Sequence, residues 1–212
     1  MGRSDYMSKE KEPFGYKVAT TFLGPIFRLY YNPKVIGKEN IPKEGSIIVC
    51  GNHKHLMDQC LAIISTKRFL RYMAKKEYFD GKFAWFFKWV GCIPVNRSIK
   101  DTDAKEKAIE HLQTGGAIGI FPEGTRNKTK EFLLPFKFGA VSMAKKTNSL
   151  LVPFGITGDY KFRSKNLVVR FGKPFEVGDM TLEEANQKLE KAIGDLMKKS
   201  IKEDKNKGKL KK

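Results

Sequence analysis

Short β-rich runs alternate with helix-patterned stretches along this chain, and that alternation limits the fold more than any other feature. The runs are residues 46–50, 69–73, 93–95, 117–121, 150–156 and 167–171. Between them stand 58–65, 103–113 and 138–146, where apolar residues recur at helical spacing. The pattern predicts an α/β domain with a mixed central sheet flanked by helices. The last helix is the plainest element. Thr181 and Glu184 have capping-box spacing, and Leu182, Ala185, Leu189, Ile193 and Leu196 follow at helical intervals.

The ends differ in character. Residues 1–13 are polar and lack the features of a secretory leader. Residues 14–31 are apolar but interrupted by Lys17, Pro25 and Arg28, too broken to cross a bilayer. They read as an amphipathic helical segment at a membrane interface. Residues 198–212 hold eight lysines and two acids. They are expected to remain unpacked or to lie on an anionic surface. The expected organisation is an interfacial segment over 1–34, an α/β domain over 35–201 and a basic tail over 202–212.

Charge narrows the partners. Lysine and arginine total 41 against 23 acids, for a net +18. Such a surface attracts polyanions: nucleic acid, anionic lipid or an acidic carrier protein. No zinc-finger or RNP-type pattern supports nucleic acid. Residues 78–89 hold both tryptophans, and Phe83, Trp85, Phe86 and Trp89 are interspersed with Lys82 and Lys88. That mixture fits an aromatic core face or a helix at the lipid headgroup level. The charge favours the membrane. Cys50, Cys60 and Cys92 sit in apolar contexts and read as small hydrophobes in a reducing compartment.

Chemistry concentrates in a few loops. Asn52-His53-Lys54-His55-Leu56-Met57-Asp58 follows a β run and precedes a helix. In a continuous helix the His53 and Asp58 side chains would point about 140° apart. They meet only if His53 lies in the preceding turn and Asp58 in the first helical turn. Asp58 would then hold one imidazole nitrogen and leave the other to take a proton. No G-x-S-x-G elbow supplies a protein nucleophile, so the substrate's own hydroxyl is the expected attacker. A metal site is not expected. The chain has three histidines, His111 is far from the others, and no Cys-x-x-Cys pair exists.

A second loop, Phe121-Pro122-Glu123-Gly124-Thr125-Arg126, follows a strand-like run and suits an anion, with Arg126 offering a fork to phosphate. A third, Gly91 to Arg97, ends a short strand in another arginine. With Val152-Pro153-Phe154-Gly155-Ile156, these blocks stand in the order found in glycerolipid acyltransferases of the 1-acylglycerol-3-phosphate acyltransferase (PlsC) type. The chain resembles that family over residues 35–175. The resemblance implies an α/β fold on the cytoplasmic face of the cell membrane, peripheral or monotopic. It also implies a lysophosphatidic acid acceptor and a thioester donor, acyl-CoA or acyl carrier protein, with no other cofactor.

Carried onto this chain, the catalytic pair is His53 and Asp58. The substrate site would take Lys75, Arg97, Glu123, Gly124, Thr125 and Arg126. Phe83, Trp85, Phe86 and Trp89 would meet the membrane. Backbone N–H groups at the start of the helix after His53 are expected to stabilise the oxyanion. The sequence departs from the family pattern at Asp80-Gly81-Lys82-Phe83, where many members carry Pro and Gly.

Overall fold

Two strands are buried along nearly their whole length and organise everything else: β2 (Ile47–Gly51) and β6 (Leu150–Thr157). Burial on both faces is what near-continuous apolar runs achieve in a parallel sheet covered by helices on both sides. They pair in parallel from Ile47 with Leu150 to Gly51 with Phe154. The computed structural model describes residues 12–96, 98–99 and 101–209.

Around this pair the chain builds a seven-stranded sheet. The remaining strands are β1 (Lys34–Ile36), β3 (Leu70–Lys75), β4 (Ile93–Val95), β5 (Ala117–Ile120) and β7 (Val168–Phe171). Their order is β1-β7-β6-β2-β5-β3-β4. From β6 to β4 every neighbour is parallel, and β7 runs antiparallel to β6. The sheet is therefore mixed, as the sequence predicts. β1 was not legible as a strand: it is three residues at the sheet edge, paired in parallel with β7.

Helices cover both faces. One layer holds α4 (Thr102–Gln113), α5 (Gly139–Thr147) and α6 (Leu182–Lys209). Ala108, Leu112, Ala140, Leu189 and Ile193 bury there against Ile48, Ile118 and Leu151. The other holds α1 (Phe14–Tyr31) and α2 (Asp58–Ile63), with Phe27, Tyr31 and Leu61 against Val49, Val152 and Phe154. α3 (Ala84–Trp89) lies beside α1. There the Trp89 ring occupies the space a Cβ on Gly15 would need.

Local chemistry accounts for several boundaries. Asp101 caps α4 by accepting from Ala104 N at 3.0 Å. The capping box before α6 forms: Thr181 N donates to Glu184, and Glu184 N donates to Thr181 Oγ1. The expected unpacked C-terminal tail is corrected. α6 continues through Lys209, with Ser200 buried and Arg170 reaching both Ser200 and Glu203. A buried arginine on β7 draws two polar side chains of the helix down, an interaction between distant segments that charge counting misses. Residues 210–212 lie outside the described residues.

α1 presents Phe22, Leu23, Ile26, Leu29 and Tyr30 to solvent, and Phe83, Trp85 and Trp89 are also exposed. Phe86 is half-buried. No helix among the described residues is long and apolar enough to cross a membrane.

Tyr72 is a cost built into this core. It is 7% exposed, and its hydroxyl has no hydrogen-bond partner among the described residues. Its ring lies where a Cβ on Gly119 would stand, so glycine is required opposite it. Tyr72→Phe keeps the ring and removes the orphaned hydroxyl. It should raise unfolding stability by roughly 1 kcal/mol, read from the midpoint of urea denaturation.

Candidate active site

The loops after β2, β5 and β6 emerge at the same edge of the sheet, the carboxyl ends of parallel strands where open α/β folds gather their sites. Their backbones are joined there. Asn52, buried after β2, accepts from Ile156 N at 2.7 Å and donates to Ile156 O at 3.1 Å. Its side-chain amide thus extends the β2–β6 ladder beyond the strand. His53 N donates to Glu123 Oε1 at 2.6 Å, and His53 O accepts from Asn127 N at 2.6 Å. The loop after β5 therefore fixes the backbone of His53 from both sides.

Asp58 is the first residue of α2 and is fully buried. Its Oδ2 lies 2.8 Å from His53 Nδ1 and also accepts from Lys54 N and His55 N. Its Oδ1 accepts from the Tyr160 hydroxyl at 2.6 Å. The geometry expected from the sequence, His53 in the turn and Asp58 opening the helix, is the one observed. With Nδ1 committed to the carboxylate, Nε2 is the nitrogen left for proton transfer. The His53 ring stacks on Phe121, with centroids 4.1 Å apart and planes 9° from parallel.

Tyr160 is a site residue that sequence reasoning missed. It follows Asp58 by 102 positions, and no spacing rule connects them. Burial, and then the charge of Asp58, push its phenol far above the usual value, so it stays a donor. It also stacks on His55, centroids 4.1 Å apart. His55 Nδ1 accepts from Met57 N.

Hydrogen bonding narrows two expectations. Lys54 N and His55 N are spent on Asp58, His53 N on Glu123, Met57 N on His55, and Asp58 N on His55 O. These five backbone donors are therefore engaged and not available to an oxyanion. Glu123 is engaged by backbone donors on both oxygens. It is 4% exposed, and its second oxygen accepts from Leu134 N at 2.9 Å. Burial pushes its carboxyl up, while its two backbone donors pull the other way. Glu123 positions the turn that holds His53.

The other predicted residues are dispersed. Gly124 lines a cavity with His53, at a φ of +69° that favours glycine. Thr125 is exposed and Arg126 half-buried, and neither lines that cavity. Lys75 ends β3 and pairs with Glu77 at 2.7 Å. Arg97 lies outside the described residues. Cys50 is fully buried. Cys60 and Cys92 are partly buried, and burial pushes both thiols up to about 11.

Comparison with known proteins agrees with this arrangement. The family model described as Acyltransferase matches residues 32–157. This chain belongs to that family. Among its relatives is a 1-acyl-sn-glycerol-3-phosphate acyltransferase of Borreliella burgdorferi, 38% identical over 141 residues. That match covers 65% of this chain and 56% of the relative, little more than half its length. The protein of that name from Bacillus subtilis is 29% identical over 198 residues, covering 91% of this chain and 98% of its own. Among solved structures, the 1-acyl-sn-glycerophosphate acyltransferase PlsC of Thermotoga maritima superposes with a TM-score of 0.66 at 24% identity. It covers 84% of this chain and 80% of its own. At that identity the likeness speaks to the fold. In this family member His53, Asp58 and the Glu123 turn all fall within the matched residues.

Tyr160→Phe tests the network directly. Removing a donor leaves the buried Asp58 carboxylate one hydrogen bond short and loosens its hold on His53. The maximal rate should fall about tenfold, the loss of one hydrogen bond to a charged group, with the acceptor KM little changed. An unchanged rate would show that Tyr160 only packs.

Proposed function

We propose that this chain transfers a fatty acyl group from a thioester to the free hydroxyl of 1-acylglycerol 3-phosphate, giving phosphatidic acid. The observation that carries the reading is an imidazole held by a buried carboxylate at the edge of a cavity, in a family whose relatives named above bear that activity in their names. His53 Nε2 takes the proton of the acceptor hydroxyl as its oxygen attacks the thioester carbon. The tetrahedral intermediate collapses, the carbon–sulfur bond breaks, and the thiolate leaves with the proton that His53 returns. No metal or redox group is needed for these steps.

The substrates' ends find matching surroundings. An apolar cavity of about 180 Å³ lies among α1, α2, α3 and β3, lined by Leu23, Phe27, Ile63, Phe86 and Val90. Tyr72 lines both this cavity and the one at His53, so the two adjoin. An acyl chain suits the first, with its reactive carbon presented to the second. The acceptor phosphate is assigned to the turn of Gly124, Thr125 and Arg126, with Lys75 and Arg97 as further cations. Arg126 forms no ion pair with a described carboxylate that would compete for it. Acyl-CoA and acyl carrier protein both fit as donor.

The exposed apolar residues of α1 and α3 support seating on a lipid surface. Phe83, Trp85 and Trp89 would lie at headgroup level on the cytoplasmic face of the membrane.

The decisive assay gives purified protein lysophosphatidic acid with each donor in turn and identifies the lipid product by mass. Wild type should form phosphatidic acid, and His53→Ala should lose a factor of 10²–10⁴ or more while staying folded. Glycerol 3-phosphate or another lysophospholipid turning over faster would move the acceptor within the class. No transfer to any acceptor would reject the reading. Trp85→Ala with Trp89→Ala should weaken co-sedimentation with vesicles even at high salt, because screening leaves the aromatic contribution intact.

A further inference from the structure

The cavity at His53 contains a cation that the motif blocks do not predict. Lys137 lines it together with His53, Gly124, Asn96 and Asp101, in a space of about 290 Å³. Its backbone N–H donates to Pro122 O at 2.9 Å, which anchors it to the turn after β5. Its side chain lies over Gly124: a Cβ there would stand 2.9 Å from Cε and 3.0 Å from Nζ. Any larger residue at 124 would displace the ammonium. The glycine of the Glu-Gly-Thr-Arg turn thus makes room for a lysine as well as for a left-handed backbone.

The ammonium is not neutralised in place. Asp101 is the described carboxylate lining the cavity, and it is spent on backbone donors, Asn96 N at 2.8 Å and Ala104 N at 3.0 Å. Those two contacts hold its carboxyl below the ordinary value. No ion pair with a described residue engages Lys137. A lysine ammonium facing a cavity that also presents a general base is a point-charge site for an anion.

We propose that Lys137 binds the phosphate of the acyl acceptor and thereby sets the distance between that phosphate and His53. This rests on the acyl-transfer reading above and adds a specificity residue to it. Chain geometry selects the acceptor. In 1-acylglycerol 3-phosphate the free hydroxyl is separated from phosphorus by a few covalent bonds. Once that hydroxyl is at His53, the phosphate must lie in the same cavity or at its rim, beside the turn of Gly124, Thr125 and Arg126. The phosphates of a pantetheine thioester sit at the far end of a long arm and need not enter it. Lys137 adds to the cations expected from the sequence, Lys75, Arg97 and Arg126, one that lines the space where the hydroxyl reacts.

The test compares wild type, Lys137→Met and Lys137→Arg. Methionine keeps an unbranched stem over Gly124 and removes the charge. Lys137→Met should raise the KM for lysophosphatidic acid about 10- to 100-fold, the loss of a charge-assisted contact. The donor KM should stay within about twofold. The preference for lysophosphatidic acid over neutral monoacylglycerol, as a ratio of kcat/KM, should collapse, and arginine should restore part of it. An unchanged acceptor KM, or a rise confined to the donor, overturns the proposal.

Calorimetric titration with glycerol 3-phosphate needs no turnover and separates this proposal from the reading beneath it. Affinity lost in Lys137→Met supports the anion site even if transfer to lysophosphatidic acid fails, and equal affinity in both proteins rejects it. Should the methionine variant melt early, Lys137→Gln is put through the same titration and judged by the same outcomes.

Discussion

The arrangement depends on one buried carboxylate. Asp58 has no exposure to water, yet four donors converge on it: His53 Nδ1, Lys54 N, His55 N and the Tyr160 hydroxyl. An isolated carboxylate would be very costly in such a place, and four hydrogen bonds are what offset that cost. Each donor belongs to a segment that must therefore adopt one conformation. The turn after β2 must wrap so that two consecutive N–H groups point inward. The loop after β6 must bring Tyr160 over His55. The geometry proposed to be catalytic and the folding of these loops are the same set of bonds.

Three further tethers turn separate motifs into one unit. Glu123 and Asn127 hold His53 from the β5 side, and Asn52 grips Ile156 on the β6 side. Sequence order spreads these blocks across about half of the chain. Sheet order places β2 between β5 and β6, so their trailing loops are neighbours. A parallel arrangement puts all three loops at one edge, an outcome the alternation of strands and helices already favours. Rigid strands thus supply the positions, and short loops supply the reacting groups.

What was legible in the sequence follows from the range of the interactions. The strands at 46–50, 93–95, 117–121 and 150–156, and the pairing of His53 with Asp58, rest on local patterns and came through with boundaries shifted by a residue or so. β1 did not, because a three-residue edge strand has no periodicity and exists through pairing with β7. Tyr160 was invisible because its contact with Asp58 spans 102 positions, and Lys137 because its place over Gly124 depends on how the loop after β5 folds back on itself. Counting N–H groups near a helix start also takes no account of a first-turn carboxylate, and Asp58 has claimed those of Lys54 and His55 in the turn before α2.

The basic charge of the chain reads as one property in the sequence, and the fold divides it. α1 and α3 carry the exposed apolar residues, and α1 packs on the layer built around Val49, Val152 and Phe154. α6 packs on the opposite layer, against Leu151. The exposed Lys198, Lys199 and Lys202 therefore stand across the sheet from the surface proposed to meet lipid. The cations beside that surface include Lys17 and Arg28 on α1 and Lys82 and Lys88 around α3. Beyond a Debye length of about 8 Å, screening leaves little attraction, so such near cations dominate any electrostatic contribution to membrane seating. The larger cluster on α6 is free to face the aqueous side, beside a cavity of about 360 Å³ that runs from Met197 and Ile201 to His53. One face of the sheet thus suits the lipid chain, and the other leaves a polar approach to the same imidazole.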